Sequence, residues 1–206
     1  MNKKLDIIQT LNNLNKIKRT GPSLGAGIPQ HDIESLAEHS YRVVYLCLIF
    51  SKADSTINLL NLIQYVITHE WGECILGDLP LRGKSYMSYF RNPMEFKNAF
   101  REAEGKAKQM LMKDAGIGYV SLSASEDKLF RFCDTLARIV EIIDYRQTGY
   151  KSSWLDKMYK VQISLLKKYA YSFVNELLAG IDEIYQRGYM ENKYLTKETD
   201  KDQKKE

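Results

Sequence analysis

Cysteine is scarce: only Cys47, Cys74 and Cys133 occur in 206 residues. An odd number, widely spaced, excludes a disulfide framework, and the three are expected as reduced core thiols in a cytoplasmic protein. Long apolar runs are missing too. The longest, residues 43–50, falls far short of the ~20 residues of a membrane-spanning helix. The apolar positions after Lys4 are interrupted by Asp6, Gln9 and Asn12, so no signal-peptide core is expected. Charge of one sign is equally scarce. Lysine and arginine total 30 against 26 acids, a net charge of +4, with no basic stripe of the kind a nucleic-acid binder carries. Neither nucleic acid nor membrane is expected as a partner. Strand-like alternation is also lacking, residues 119–122 being the nearest approach.

What remains is helical periodicity in a chain that is 44% hydrophobic, long enough to bury roughly 70% of its unfolded surface. Leu5, Ile8, Leu11 and Leu14 keep the spacing of one helix face, which ends before Arg19-Thr20-Gly21-Pro22. Residues 20–33, rich in glycine and proline, predict a loop. Ser35-Leu36-Ala37-Glu38 has the form of a capping box and predicts a helix to about Ser51. A third helix is predicted from about Thr56 through Trp71 toward Gly77. Further starts lie at Asn92-Pro93-Met94-Glu95 and Ser123-Ala124-Ser125-Glu126, and residues 153–186 read as one or two helices. The expectation is an all-α fold, a single compact bundle of six or more helices over residues 1–190, with a charged, disordered tail at 191–206.

Ionisable residues interrupt the apolar pattern in three places. His39 precedes Val43-Val44-Tyr45-Leu46, His69 and Glu70 follow an apolar stretch, and Asp134 lies within Phe132-Cys133-Asp134-Thr135-Leu136. A carboxylate in such surroundings costs several kcal/mol unless it is paired or bound to a metal. Singly, each has an ordinary reading: a satisfied helical histidine, exposed glutamates, or an aspartate beside Arg131 or Arg138. Together, imidazole and carboxylate make a natural donor set for a divalent cation with open positions for water and substrate. On a regular helix His69 and Glu73 share a face, and Glu70 is turned by about 100° from His69.

The order of these groups resembles the HD-domain metal-dependent phosphohydrolases, most closely the small branch with the bacterial 5′-deoxynucleotidases. The resemblance rests on Lys18-Arg19-Thr20-Gly21, Glu34-Ser35-Leu36-Ala37-Glu38-His39-Ser40-Tyr41-Arg42-Val43, His69-Glu70-Trp71-Gly72-Glu73-Cys74-Ile75-Leu76-Gly77-Asp78-Leu79-Pro80 and residues 128–137. It implies that His39, His69, Glu70 and Asp134 hold one divalent ion, Co2+, Mn2+ or Zn2+, in a homodimer. It further implies that Glu73 activates water, that Asp78 assists the leaving oxygen or orients the nucleophile, and that Arg19 binds phosphate. Lys84 is a candidate second phosphate contact, or else a surface lysine. Two features depart from the family pattern. Its second motif is usually His-Asp, whereas Glu70 adds a methylene and moves the carboxylate by roughly the ~1.5 Å of a C–C bond. A tryptophan that usually stands near the arginine is replaced by Thr20-Gly21-Pro22.

The expected activity is hydrolysis of a (deoxy)ribonucleoside 5′-monophosphate to nucleoside and phosphate. Release of triphosphate from a deoxynucleoside triphosphate is the alternative. A non-catalytic module of the same fold is a weaker one, since Glu73, Asp78 and Arg19 have no use beside a dead site. A zinc protease helix would need histidine where Glu73 stands, and a di-iron oxygenase would need more histidines than His31 can supply.

Overall fold

The computed structural model describes residues 2–21, 23–79 and 93–187. Among them all regular elements are helical, and extended pairing is confined to one antiparallel bridge between Lys18 and Ser35. Helix α1 (Lys3–Leu11) runs into a 3-10 turn, Asn12–Asn15. A short α2 (Ser23–Ala26) and a 3-10 turn (Gln30–Asp32) occupy the loop predicted at 20–33. Then follow α3 (Leu36–Phe50), α4 (Leu59–Thr68), α5 (Glu73–Leu76), α6 (Pro93–Ala115), α7 (Ala124–Gln147), α8 (Ser153–Leu166) and α9 (Val174–Arg187). The tail at 191–206 and Lys84 lie outside the described residues.

Local chemistry sets the helix starts. Ser35 Oγ accepts from the Glu38 amide at 3.2 Å, while Glu38 Oε2 accepts from the Ser35 amide at 2.6 Å. The same reciprocal box joins Ser123 and Glu126 ahead of α7. Glu126 also reaches α4, where its carboxylate accepts from the Asn58 amide at 3.1 Å and from Asn61 Nδ2 at 3.0 Å. The start of α4 is thereby held in register with the start of α7.

Helices α3, α4 and α7 pack around one core, with α8 against the other flank of α7. Phe132, Leu129, Ile139 and Ile142 of α7 meet Val43, Leu62 and Val66 there, all fully buried. Cys47 and Cys133 are free and buried in this core, as expected of reduced thiols. A smaller core of Trp71, Cys74, Leu111 and Met112 joins α5 and α6, with Leu11 and Leu14 packed onto it.

One expected element is corrected. The single helix predicted from Thr56 toward Gly77 stops at Thr68 and resumes at Glu73. Between them the amides of Trp71 and Glu73 bond three residues back, to Thr68 (3.2 Å) and Glu70 (3.0 Å), so the chain tightens into a corner. His69 and Glu73 therefore do not share a face of one regular helix. Gly72 makes the corner tolerable, since a Cβ there would lie 2.4 Å from the Glu104 carbonyl oxygen of α6. Any side chain at that position would push α6 away.

Candidate metal centre

The corner at 69–73 faces α3 and α7, and three distant stretches of chain meet there. The rings of His39 and His69 lie 6.1 Å apart, centroid to centroid. One donor atom from each of His39, His69 and Glu70 falls within 4.8 Å of the other two. Glu70 Oε1 is 3.0 Å from His69 Nε2. Asp134 approaches from α7, its Oδ1 3.1 Å from His39 Nε2. It touches the group through His39 rather than joining the mutual 4.8 Å set.

The supporting bonds orient these donors. His69 Nδ1 bonds the Val66 carbonyl oxygen, which directs Nε2 toward Glu70. That Nε2 is buried and makes no hydrogen bond among the described residues. An imidazole nitrogen and a carboxylate oxygen so close need a cation or a proton between them, so the donor set fits a divalent ion in its chemistry. Phe130 packs edge-on against His69 with centroids 5.3 Å apart and walls the site on the α7 side.

The electrostatics agree. Burial, and then the positive Arg19, push His39 down to about 3, leaving a neutral imidazole. Burial opposes the charge on Asp134, but Arg138, 2.6 Å away, and His39 outweigh it and hold the carboxyl well below its usual range. Glu70 is likewise held low, with His69 and Arg19 overcoming its burial. Glu73 behaves oppositely. Burial, followed by the charges of Glu70, Asp78 and Glu104, pushes it up to about 9. Its Oε2 is buried and makes no hydrogen bond among the described residues.

Arg19 reaches this centre from the chain before α2. Its Nη1 lies 3.9 Å from Glu70 Oε1 and its side chain is only 12% exposed. Asp78 is joined to the residue next to Arg19, its Oδ2 accepting from the Thr20 amide at 2.6 Å and the Thr20 hydroxyl at 3.0 Å. Asp78 thus ties the segment that carries Arg19 to the end of α5. His39, His69, Glu70, Asp134, Glu73, Asp78 and Arg19 are gathered in one region. Lys84, the remaining candidate, is not among the described residues.

A set of residues that sequence reasoning passed over lies behind Arg19. Glu141 is 1% exposed on α7, with Oε2 3.7 Å from Arg19 Nε. Tyr145 donates to Glu141 Oε1 at 2.9 Å, and Arg42 bonds both Glu34 (3.2 Å) and Asp144 (2.8 Å). The signal was present: Glu141 stands in Ile139-Val140-Glu141-Ile142-Ile143, the same charge-in-an-apolar-run that singled out Asp134. Asp134, Arg138, Glu141 and Tyr145 recur at the spacing of one helix face, so α7 carries a polar stripe through the core.

Burial and the neighbouring Glu141 push Glu34 up to about 7 from its ordinary 4.5. A carboxyl raised on folding contributes stability below its unfolded value and loses it as pH rises through the folded one. The metal-free protein is expected to lose on the order of 2 kcal/mol between pH about 5 and 8 from this group. Glu34→Gln should remove that part of the slope. Thermal melts of both proteins across the range check it, and parallel curves would refute it.

The family model for the HD domain matches residues 11–114, just over half of the 206 residues. No match to a curated protein was found. Among solved structures, the chain is similar to the PH0347 protein from Pyrococcus horikoshii OT3, at 22% identity and a TM-score of 0.61, over 87% of this chain and 99% of that one. A conserved hypothetical protein from Pyrococcus furiosus is similar at 25% identity and a TM-score of 0.60, over 88% of this chain and 99% of its own. With the all-helical architecture and a histidine–carboxylate cluster inside the matched segment, the chain belongs to the HD domain family, whose members are generally hydrolases that bind divalent metals.

Proposed function

We propose that this chain hydrolyses the phosphate ester of a (deoxy)ribonucleoside 5′-monophosphate, giving nucleoside and inorganic phosphate. The observation that carries the reading is the cluster of buried His39 with partly buried His69 and Glu70, with the Arg19 guanidinium 3.9 Å from Glu70. A cation site flanked by a fixed guanidinium suits an anionic ester bound at one end by its phosphoryl oxygens.

His39, His69 and Glu70 would hold the ion, with Asp134 as a fourth ligand or as the partner that orients His39. The ion supplies Lewis-acid polarisation of the phosphoryl group and of water. Arg19 binds the non-bridging phosphate oxygens and restrains the phosphorus for in-line attack. Glu73 accepts the proton of the attacking water as the new P–O bond forms. Asp78, held by Thr20, assists the leaving oxygen or orients the nucleophile; the ester P–O bond breaks and the nucleoside oxygen takes up the proton that Glu73 accepted from water. Lys84 as a second phosphate contact, the identity of the ion as Co2+, Mn2+ or Zn2+, and a cytoplasmic homodimer belong to the same proposal.

The test is a panel of nucleoside mono- and triphosphates assayed with each of the three ions, with products identified. Nucleoside and orthophosphate from monophosphates support the reading. Triphosphate release replaces it with the alternative substrate class, and no product from any member of the panel sinks it.

A further inference from the structure

The residues behind Arg19 close into a ring. The Arg19 amide donates to the Glu34 carbonyl at 2.9 Å. The Glu34 amide donates to the Tyr145 hydroxyl at 3.0 Å, and that hydroxyl donates to Glu141 Oε1 at 2.9 Å. Glu141 Oε2 returns to Arg19, 3.7 Å from its Nε. Three separate stretches of chain take part: hydrogen bonds fix the arginine's backbone, and the link to its side chain is a charge contact longer than a hydrogen bond.

The guanidinium is thereby suspended between two carboxylates, Glu70 on the metal side at 3.9 Å and Glu141 on the core side at 3.7 Å. Glu70 and Asp134 both attract the arginine toward the ligand set. Glu141 attracts it from the core side, from a buried position steered by the Tyr145 hydroxyl. Nε faces Glu141 across 3.7 Å by charge, without a hydrogen bond, while Nη1 lies on the cluster side, 3.9 Å from Glu70.

The geometry points to Glu141 as a positioning residue: it sets the orientation of Arg19 toward the substrate's phosphate and keeps that guanidinium off the metal ligand Glu70. This rests on the phosphate-binding role given to Arg19 in the proposed function. Glu141 touches neither substrate nor metal in this role. It acts through Arg19, and Tyr145 acts through Glu141.

The experiment is calorimetric titration of inorganic phosphate into the metal-loaded protein, with metal content and melting temperature measured alongside. Glu141→Gln keeps the shape and removes the charge. It is expected to weaken phosphate binding about tenfold, the scale known for groups that orient metal ligands, with one ion per chain retained. Tyr145→Phe should move affinity in the same direction, and it serves as the second variant if Glu141→Gln fails to fold. Arg19→Ala should weaken binding at least as much, and the double variant Arg19→Ala/Glu141→Gln should be no weaker than Arg19→Ala alone. Unchanged affinity in Glu141→Gln beside a loss in Arg19→Ala overturns the inference while leaving the role of Arg19 standing, as would additive losses in the double variant. If Arg19→Ala itself binds phosphate normally, the functional reading of Arg19 fails and the positioning role goes with it.

Discussion

Glu73→Gln is expected to lower phosphomonoester turnover about 10²–10⁴-fold, the usual contribution of a positioned general base, with the bound ion retained. Glu73 opens α5 at the turn that also carries His69 and Glu70, so its carboxyl lies beside the donor cluster without belonging to the mutual set. Its Oε2 is buried and free of hydrogen bonds among the described residues. A carboxyl oxygen kept dry and unpartnered is poor as a structural brace, because a brace uses its oxygens. A cation at the cluster offsets the charge of Glu70 that helps to raise Glu73, so that the carboxyl releases its own proton and can accept one from water there. Glutamine preserves volume and packing, so the change isolates proton acceptance. Initial rates with metal content measured on the same samples decide the matter. A variant that turns over normally would remove Glu73 from the chemistry, and one that loses its ion would recast it as a ligand.

The second large effect is on metal binding. Loss of an outer supporting group typically costs ~10–100-fold in affinity, and His69→Ala is expected to exceed that by removing a donor itself. His69 Nδ1 is already committed to the Val66 carbonyl, so Nε2 is the nitrogen left to bind an ion. Metal content after dialysis against a weak chelator gives the readout, with circular dichroism showing that helical content is retained. Asp134→Asn separates two roles for the α7 carboxylate. A loss as deep as that of His69→Ala makes Asp134 a ligand, whereas a loss nearer tenfold makes it the group that orients His39. A His69→Ala protein that holds its ion at full affinity would dismantle the centre.

Both experiments address residues that a linear reading had already singled out, and they did so by a common physical signal. His39, His69 and Asp134 are ionisable groups in stretches whose neighbours are apolar, and burial makes such positions expensive unless they are satisfied. Helix starts were equally legible, because Ser35 with Glu38 and Ser123 with Glu126 carry their capping chemistry within four residues. The break between α4 and α5 was not. Nothing in residues 56–77 forbids a continuous helix. The corner forms where Gly72 lets the Glu104 carbonyl of α6 come closer than any Cβ would allow. Glu141 carried the same signal as Asp134 and was passed over, since its partner Arg19 is remote in the chain and only the fold brings them together.

Sequence by itself therefore determined the all-helical class, the capped starts of α3 and α7, and the ionisable groups His39, His69 and Asp134 in apolar stretches, because capping and amphipathic spacing are short-range and the energetic penalty on buried charge is local. Only the tertiary structure decided how those side chains relate to one another. It bent the chain at 69–72, left Asp134 touching the cluster through His39, and closed the ring from Arg19 through Glu34, Tyr145 and Glu141. The reason is physical. Coulomb and hydrogen-bond energies depend on distance in space, and the helices that set those distances are placed by packing between residues far apart in the chain.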